Sequence, residues 1–126
     1  MNKLKKCRRA LNVDMYGDCS LFQLFWQILC CAKLAGASSV SIIPKNQSFS
    51  VICKKGKVRR EIVVNASWHA VQPMITHCKI LSNMKPTKDI SQIGEFLPPE
   101  TYGLPVCCAV IKPTKYGELL RVTFLR

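Results

Sequence analysis

Residues 24–44 read LFWQILCCAKLAGASSVSIIP, and the spacing of the apolar side chains changes inside this stretch. From Leu24 to Leu34 apolar residues recur on nearly every side of a helix, with polarity left only at Gln27 and Lys33. A helix with no broad polar stripe is one buried against other elements, most simply a sheet. Gly36 stops it, because the residue after a helix often takes a left-handed backbone that glycine adopts without strain. From Ser38 the pattern alternates, with Val40 and Ile42 set against Ser39 and Ser41, and it closes at Pro44. That is the period of a half-buried strand.

Working outward, Asp18 or Ser20 can cap the helix. Residues 1–17 form a basic arm carrying Lys3, Lys5, Lys6, Arg8 and Arg9. Downstream, residues 45–47 turn the chain. Residues 48–55, SFSVICKK, alternate again, with Phe49, Val51 and Cys53 on one face. Gly56 makes a second turn, and residues 58–64 are a third strand, giving an antiparallel meander. Its exposed face is expected to carry Lys54, Lys55, Lys57, Arg59 and Arg60. Asn65 is placed to cap a second helix over residues 66–84, with Trp68, Val71, Ile75, Cys78 and Leu81 or Ser82 on one side. Pro73 either kinks that helix or marks a regular part beginning near Gln72. Residues 85–103 read as a Pro- and Gly-rich loop with a short apolar insert, and residues 104–113 and 117–125 as a closing hairpin. The fold class is therefore α+β, a curved, mainly antiparallel sheet with two packed helices, in one domain spanning residues 18–126.

The chain has 126 residues, 48% of them hydrophobic and 21% charged, which suits one globular domain with a single core. Its 19 Lys and Arg against 7 Asp and Glu give a net charge of +12. Such a balance favours an anionic partner: an acidic protein face, nucleic acid, or peripheral contact with a membrane surface. Only Phe49 lies near the basic meander, whereas single-strand nucleic-acid binders interleave cations with aromatic rings. The eight cysteines contain no C-x-x-C, and His69 and His77 are eight residues apart, so zinc spacing is missing. Most cysteines sit in apolar runs and read as reduced core thiols, which implies a reducing, cytoplasmic compartment. The basic opening is followed by two aspartates and no apolar core, unlike a signal peptide. Cys107 or Cys108 with His69 or His77 is a formal nucleophile–base pairing, but a cysteine doublet in an apolar strand reads as packing. Asp89, Glu95 and Glu100 read as a solvated loop. No catalytic, cofactor-binding or metal-binding residues are assigned, and the chain is not expected to be an enzyme.

Five pieces in order then match a known pattern. Gly36, Ala37, Ser38, Val40, Ile42 and Pro44 stand in the places of G-A-S-D-[IVL]-H-[IL]-E-P. A basic strand follows, and residues 75–83, ITHCKILSN, align with S-R-[IL]-K-[IV]-M-[AS], placing Lys79 on the lysine. Gln92 to Phe96 align with Q-D-G-R-F, and residues 113–125 with P-T-x-x-G-E-x-x-V-x-R-x-L. Over residues 20–126 the chain resembles the N-terminal domain of the bacterial type II secretion and type IV pilus assembly ATPases. The resemblance implies a PAS-like fold. It also exposes departures: Ser39, Ser41 and Ile43 replace acidic and imidazole groups, Glu95 and Thr123 replace arginines, and Val106 and Cys108 fall where D-x-R-V-S has Asp and Arg. Backbone-shaping residues remain, while charge that could meet a nucleotide's phosphates has gone. No G-x-x-x-x-G-K-[ST] loop occurs in these residues. The expected protein is the domain standing alone without its motor. It would be a non-catalytic interaction module, adaptor or motor-subunit decoy acting on a type IV pilus, type II or type IV secretion system. A basic nucleic-acid-binding protein, and a nucleotide sensor without hydrolysis, are the alternatives.

Overall fold

Helix α1, Leu21–Leu34, forms where the all-round apolar run lies. Leu24, Phe25, Ile28, Leu29 and Ala32 are buried along it. It ends at Gly36, whose φ of 80° lets the Ala37 amide return to the Ala32 carbonyl at 3.0 Å. That satisfies a carbonyl the helix itself leaves open. These features come from a computed structural model, which describes residues 4–6 and 21–125. The proposed caps Asp18 and Ser20 lie outside the described residues.

The meander follows as β2 (Ser39–Lys45), β3 (Ser48–Lys55) and β4 (Val58–Ile62). Register pairs Lys45 with Ser48 and Lys55 with Val58, so both connections are two-residue loops. Gly56 opens the second loop at a φ of 60°, a conformation favouring glycine. β4 stops at Ile62, two residues short of the expected third strand. A short strand β1, Leu4–Lys6, lies within the basic arm and pairs in parallel with β4.

The second helix departs from expectation at its start. Ser67, not Asn65, is the cap: its Oγ accepts from the His69 amide at 3.2 Å and opens a 3-10 turn, Trp68–Ala70. α2 proper, Val71–Leu81, continues directly from that turn. Pro73 therefore sits in the first turn, where a missing N–H leaves no helical bond broken. Val71, Met74, Ile75 and Cys78 are buried, while Trp68, expected on that side, is exposed, because the 3-10 turn rotates it off the α-helical stripe.

The segment read as a loop with an apolar insert contains a strand, β5 (Gln92–Phe96), paired with β6. Its backbone fills the sheet edge although its residues do not alternate by polarity. β6 (Cys107–Thr114) and β7 (Gly117–Phe124) form the closing hairpin. β7 also pairs with β2, so the last strand enters the middle of the sheet and the order is β1-β4-β3-β2-β7-β6-β5. Apart from β1, all pairings are antiparallel in a curved sheet.

Val40, Ile42, Val51, Ala109, Leu120 and Val122 line the sheet face under the helices and are buried with the inner sides of α1 and α2. Each fully buried Leu, Ile or Phe in this layer contributes about 1.5–3 kcal/mol. The result is a two-layer α+β fold whose second sheet face carries half-buried and exposed side chains. Among the described residues no helix is long and apolar enough to cross a membrane.

Candidate docking face and a buried ion pair

Alternation along each strand sends every second side chain to the face away from the helices. On β2 these are Ser39, Ser41 and Ile43, and on β7 Leu119, Arg121 and Thr123. Register then fixes who stands beside whom. Arg59 pairs with Lys54, Lys54 with Ser39, Ser39 with Thr123, Thr123 with Cys108, and Cys108 with Glu95. One cross-strand row thus runs from two cations, through three small neutral side chains, to one carboxylate. The next row runs Glu61, Ile52, Ser41, Arg121, Val110, Ile93. Six positions at which the chain departs from the motif pattern, Ser39, Ser41, Ile43, Glu95, Cys108 and Thr123, share this one face.

The predicted basic residues of the meander divide among four places. Lys54 and Arg59 are exposed and adjacent on the open face, and Lys57 is exposed at the hairpin tip. Lys55 folds back over the end of α1, with Nζ 3.2 Å from where a Cβ on Gly36 would lie. A cation there meets the negative end of the helix dipole. Arg60 pairs with Cys53 on the helix side and is half-buried, with Nε enclosed and unpaired. From the arm, Lys5 and Lys6 lie in β1, opposite Arg60 and Glu61. Lys3, Arg8 and Arg9 lie outside the described residues. Arg121 and Lys112, also on the open face, were missed by sequence reading, although the alternation of GELLRVTF sets Arg121 against inward Leu120 and Val122.

Glu118 is in phase with Leu120 and points inward, 3% exposed. Its carboxylate is met by Lys79 from α2, also 3% exposed. Lys79 Nζ donates to Glu118 Oε1 at 2.9 Å and to the Thr87 carbonyl at 2.8 Å. Gln72 Nε2 donates to Oε1 at 3.3 Å. Oε2 lies 2.9 Å from the same ammonium but is not aligned for a hydrogen bond. This network ties α2, the following loop and the start of β7 together. Both charges are ones that the chain retains from the motif pattern. Beside it, Glu118 and Gln72 help line a cleft of about 170 Å³ with Trp68, His69 and Tyr116. Small-molecule sites usually offer ~300–1,000 Å³.

The candidate nucleophiles and bases are not brought together into one network. Cys107 is buried, its thiol donates to the Pro105 carbonyl at 3.4 Å, and burial pushes it up to about 12. Cys78 is likewise pushed up to about 12 by burial. Cys108 faces the other side of the sheet. His69 stacks on Trp68 at 4.0 Å, with Nδ1 3.1 Å from Ser67 Oγ. His77 stacks on Phe22 at 4.2 Å and meets Phe25 and Trp26 edge-on, with Nε2 enclosed and unpaired. Burial lowers its pKa. Cys30, Cys78, Cys107 and Cys108 are free thiols, and Cys7 and Cys19 lie outside the described residues. Among the described residues no three His, Cys, Asp or Glu side chains gather into a metal-holding group. No protein-family model and no curated protein matches the chain.

Proposed function

We propose that this chain is a non-catalytic interaction module of a type IV pilus, type II or type IV secretion machine. It docks an acidic protein surface through its open sheet face and the tip of the β3–β4 hairpin. The carrying observation is the division of the motif charges. The retained pair, Lys79 and Glu118, is internal and structural. Of the replaced ones, Ser39, Ser41, Ile43, Glu95, Cys108 and Thr123 share one face, four of them in a single row, while His77, at the motif arginine before Lys79, lies in α2 and Val106 precedes β6. A face that would hold charge in the assembly ATPases is here a neutral strip flanked by Lys54 and Arg59. Such a strip suits a protein surface better than phosphates, which ask for converging cations. None of the open-face side chains on β2–β7 is aromatic, so the stacking platform of a single-strand nucleic-acid binder is missing there.

The test mixes the purified chain with pilus and type II assembly ATPases and follows both co-elution and ATP turnover. Binding to one of them, lost on the triple substitution Lys54→Glu, Lys57→Glu, Arg59→Glu, is the expected result. Micromolar binding of Mg-ATP by the chain itself, or no association with any component of these machines, would overturn the proposal.

A further inference from the structure

Three of the seven acidic side chains of this basic protein fall in one interval free of cations. Residues 89–111 contain Asp89, Glu95 and Glu100 and no Lys or Arg, in a chain that has 19 of them. This interval includes β5, the edge strand farthest from the basic hairpin. The two ends are separated by five strand spacings, about 24 Å at ~4.8 Å each. Screening at physiological salt acts over ~8 Å, so the basic end does not neutralise the acidic one.

β5 is also an unguarded edge. Among the described residues it pairs with β6 alone, and its five residues include no Lys, Arg or Pro, the residues that usually discourage further strand pairing. Ile93 is 71% exposed and Leu97 is 73% exposed. They flank Glu95 at two-residue spacing, so an aliphatic, an acid and an aliphatic side chain succeed one another along one side. The strand is held firmly from within. The Gln92 side chain donates to the Lys85 carbonyl and accepts from the Lys85 amide, at 2.9 and 2.8 Å. A Cβ on Gly94 would lie 3.0 Å from the Ser82 carbonyl oxygen, so the strand is seated against the end of α2. A rigid, free strand edge offers main-chain hydrogen bonds to an incoming segment, while its side chains select the sequence.

We propose that β5 is a strand-addition site for an extended basic peptide with the alternation aliphatic-x-basic-x-aliphatic. The added backbone pairs along Gln92–Phe96, its aliphatic side chains pack beside Ile93 and Leu97, and its central cation meets Glu95. A second copy of this chain fits less well, because pairing β5 with β5 brings like charges together. The peptide would occupy the edge of the open face farthest from Lys54, Lys57 and Arg59, the cations that hold the acidic partner.

The probe is a capped synthetic peptide, Lys-Val-Thr-Lys-Thr-Ile-Lys, mixed with the full chain and followed by fluorescence anisotropy and amide hydrogen exchange. Saturable binding with new protection of amides within residues 92–96 is expected. A peptide with each Lys replaced by Glu binds, if at all, without protecting those amides. Ile93→Lys and, separately, Glu95→Lys each weaken binding by roughly tenfold or more, since a few cross-strand pairs carry the specificity. Lys54→Glu leaves it unchanged. Both β5 substitutions are at exposed positions, and unaltered protection of the β6 and β7 amides certifies the fold. The proposal is overturned by absent binding, by binding without protection at 92–96, or by full affinity in both β5 variants. Self-association of the chain through β5, detected by sedimentation and removed by Ile93→Lys, would overturn the assigned occupant.

Discussion

Lys79 and Glu118 are the pair on which a single substitution should weigh most. Two buried opposite charges gain little over an apolar pair of the same volume, but one left alone is severely penalised. Lys79→Met is therefore expected to destabilise the fold by about 3–5 kcal/mol, because Glu118 stays enclosed with only Gln72 to donate to it. Glu118→Leu should cost a similar amount, since it leaves the Lys79 ammonium enclosed with only the Thr87 carbonyl to accept from it. The double variant Lys79→Met, Glu118→Leu should regain much of the loss. Urea unfolding of the four proteins measures this, and strictly additive effects would mean that the two groups do not interact. His77 supplies a pH dependence with a definite sign. Burial lowers its folded-state pKa below 6.5, so the unfolded chain takes up the proton first. Stability is full above pH 6.5 and falls as the pH drops from there through the folded-state value. Melting temperatures should decline over that window, and His77→Phe, which keeps the stack on Phe22, should flatten the decline. Part of this scale was legible beforehand. The motif match had singled out Lys79, while the sequence reading had not turned Glu118 inward. Their meeting was not legible, because it depends on how α2 crosses β7.

The elements divide in a similar way. α1 and β6 were readable from their apolar runs, and β3 and β7 from the alternation of their side chains. β5 was not readable. Its one aliphatic residue, Ile93, faces solvent, and its inward positions hold Gln92, Gly94 and Phe96, so neither alternation nor an apolar run announces it. What makes it a strand is its partner β6 and the close approach of the α2 terminus at Gly94. A methyl group there would meet the Ser82 carbonyl oxygen at 3.0 Å, Ser82 Cβ at 3.1 Å and Met84 Cε at 3.2 Å. Methionine can move aside, but a backbone oxygen can do so only by shifting the helix end. Gly94→Ala should accordingly destabilise the protein by about 1–3 kcal/mol, the usual range for overpacking. Hydrogen exchange should show the loss concentrated in β5 and the end of α2. An unchanged unfolding midpoint would mean that the helix end yields freely. The strand order was also beyond the sequence, since the pairing of β2 with β7 joins residues about eighty positions apart and no local signal encodes it.

At the scale of the whole molecule, the net charge of +12 is a sum over an uneven surface. Lys54, Lys57 and Arg59 stand exposed at one end of the sheet, joined on the open face by Arg121, while the interval 89–111 is acidic. Fields of this kind act on the rate of encounter and on orientation more than on final affinity, because each exposed ion pair is weak once formed. The charge-reversal variant Lys54→Glu, Lys57→Glu, Arg59→Glu should therefore slow association with the acidic partner by roughly tenfold or more, within the 10–1,000-fold range of electrostatic steering. Dissociation should change much less. Raising the salt concentration should slow the wild-type protein toward the rate of the variant and leave the variant nearly unaffected, since screening removes the same attraction that the substitutions remove. All three positions are exposed, so the melting temperature should stay close to that of the parent. Stopped-flow association across a salt series separates this from contact loss at the hairpin tip, which would raise the dissociation rate in the variant and leave its salt dependence intact. If the variant associates at the parental rate, the basic hairpin does not steer the partner, and Arg121 in the middle of the open face becomes the cation to test.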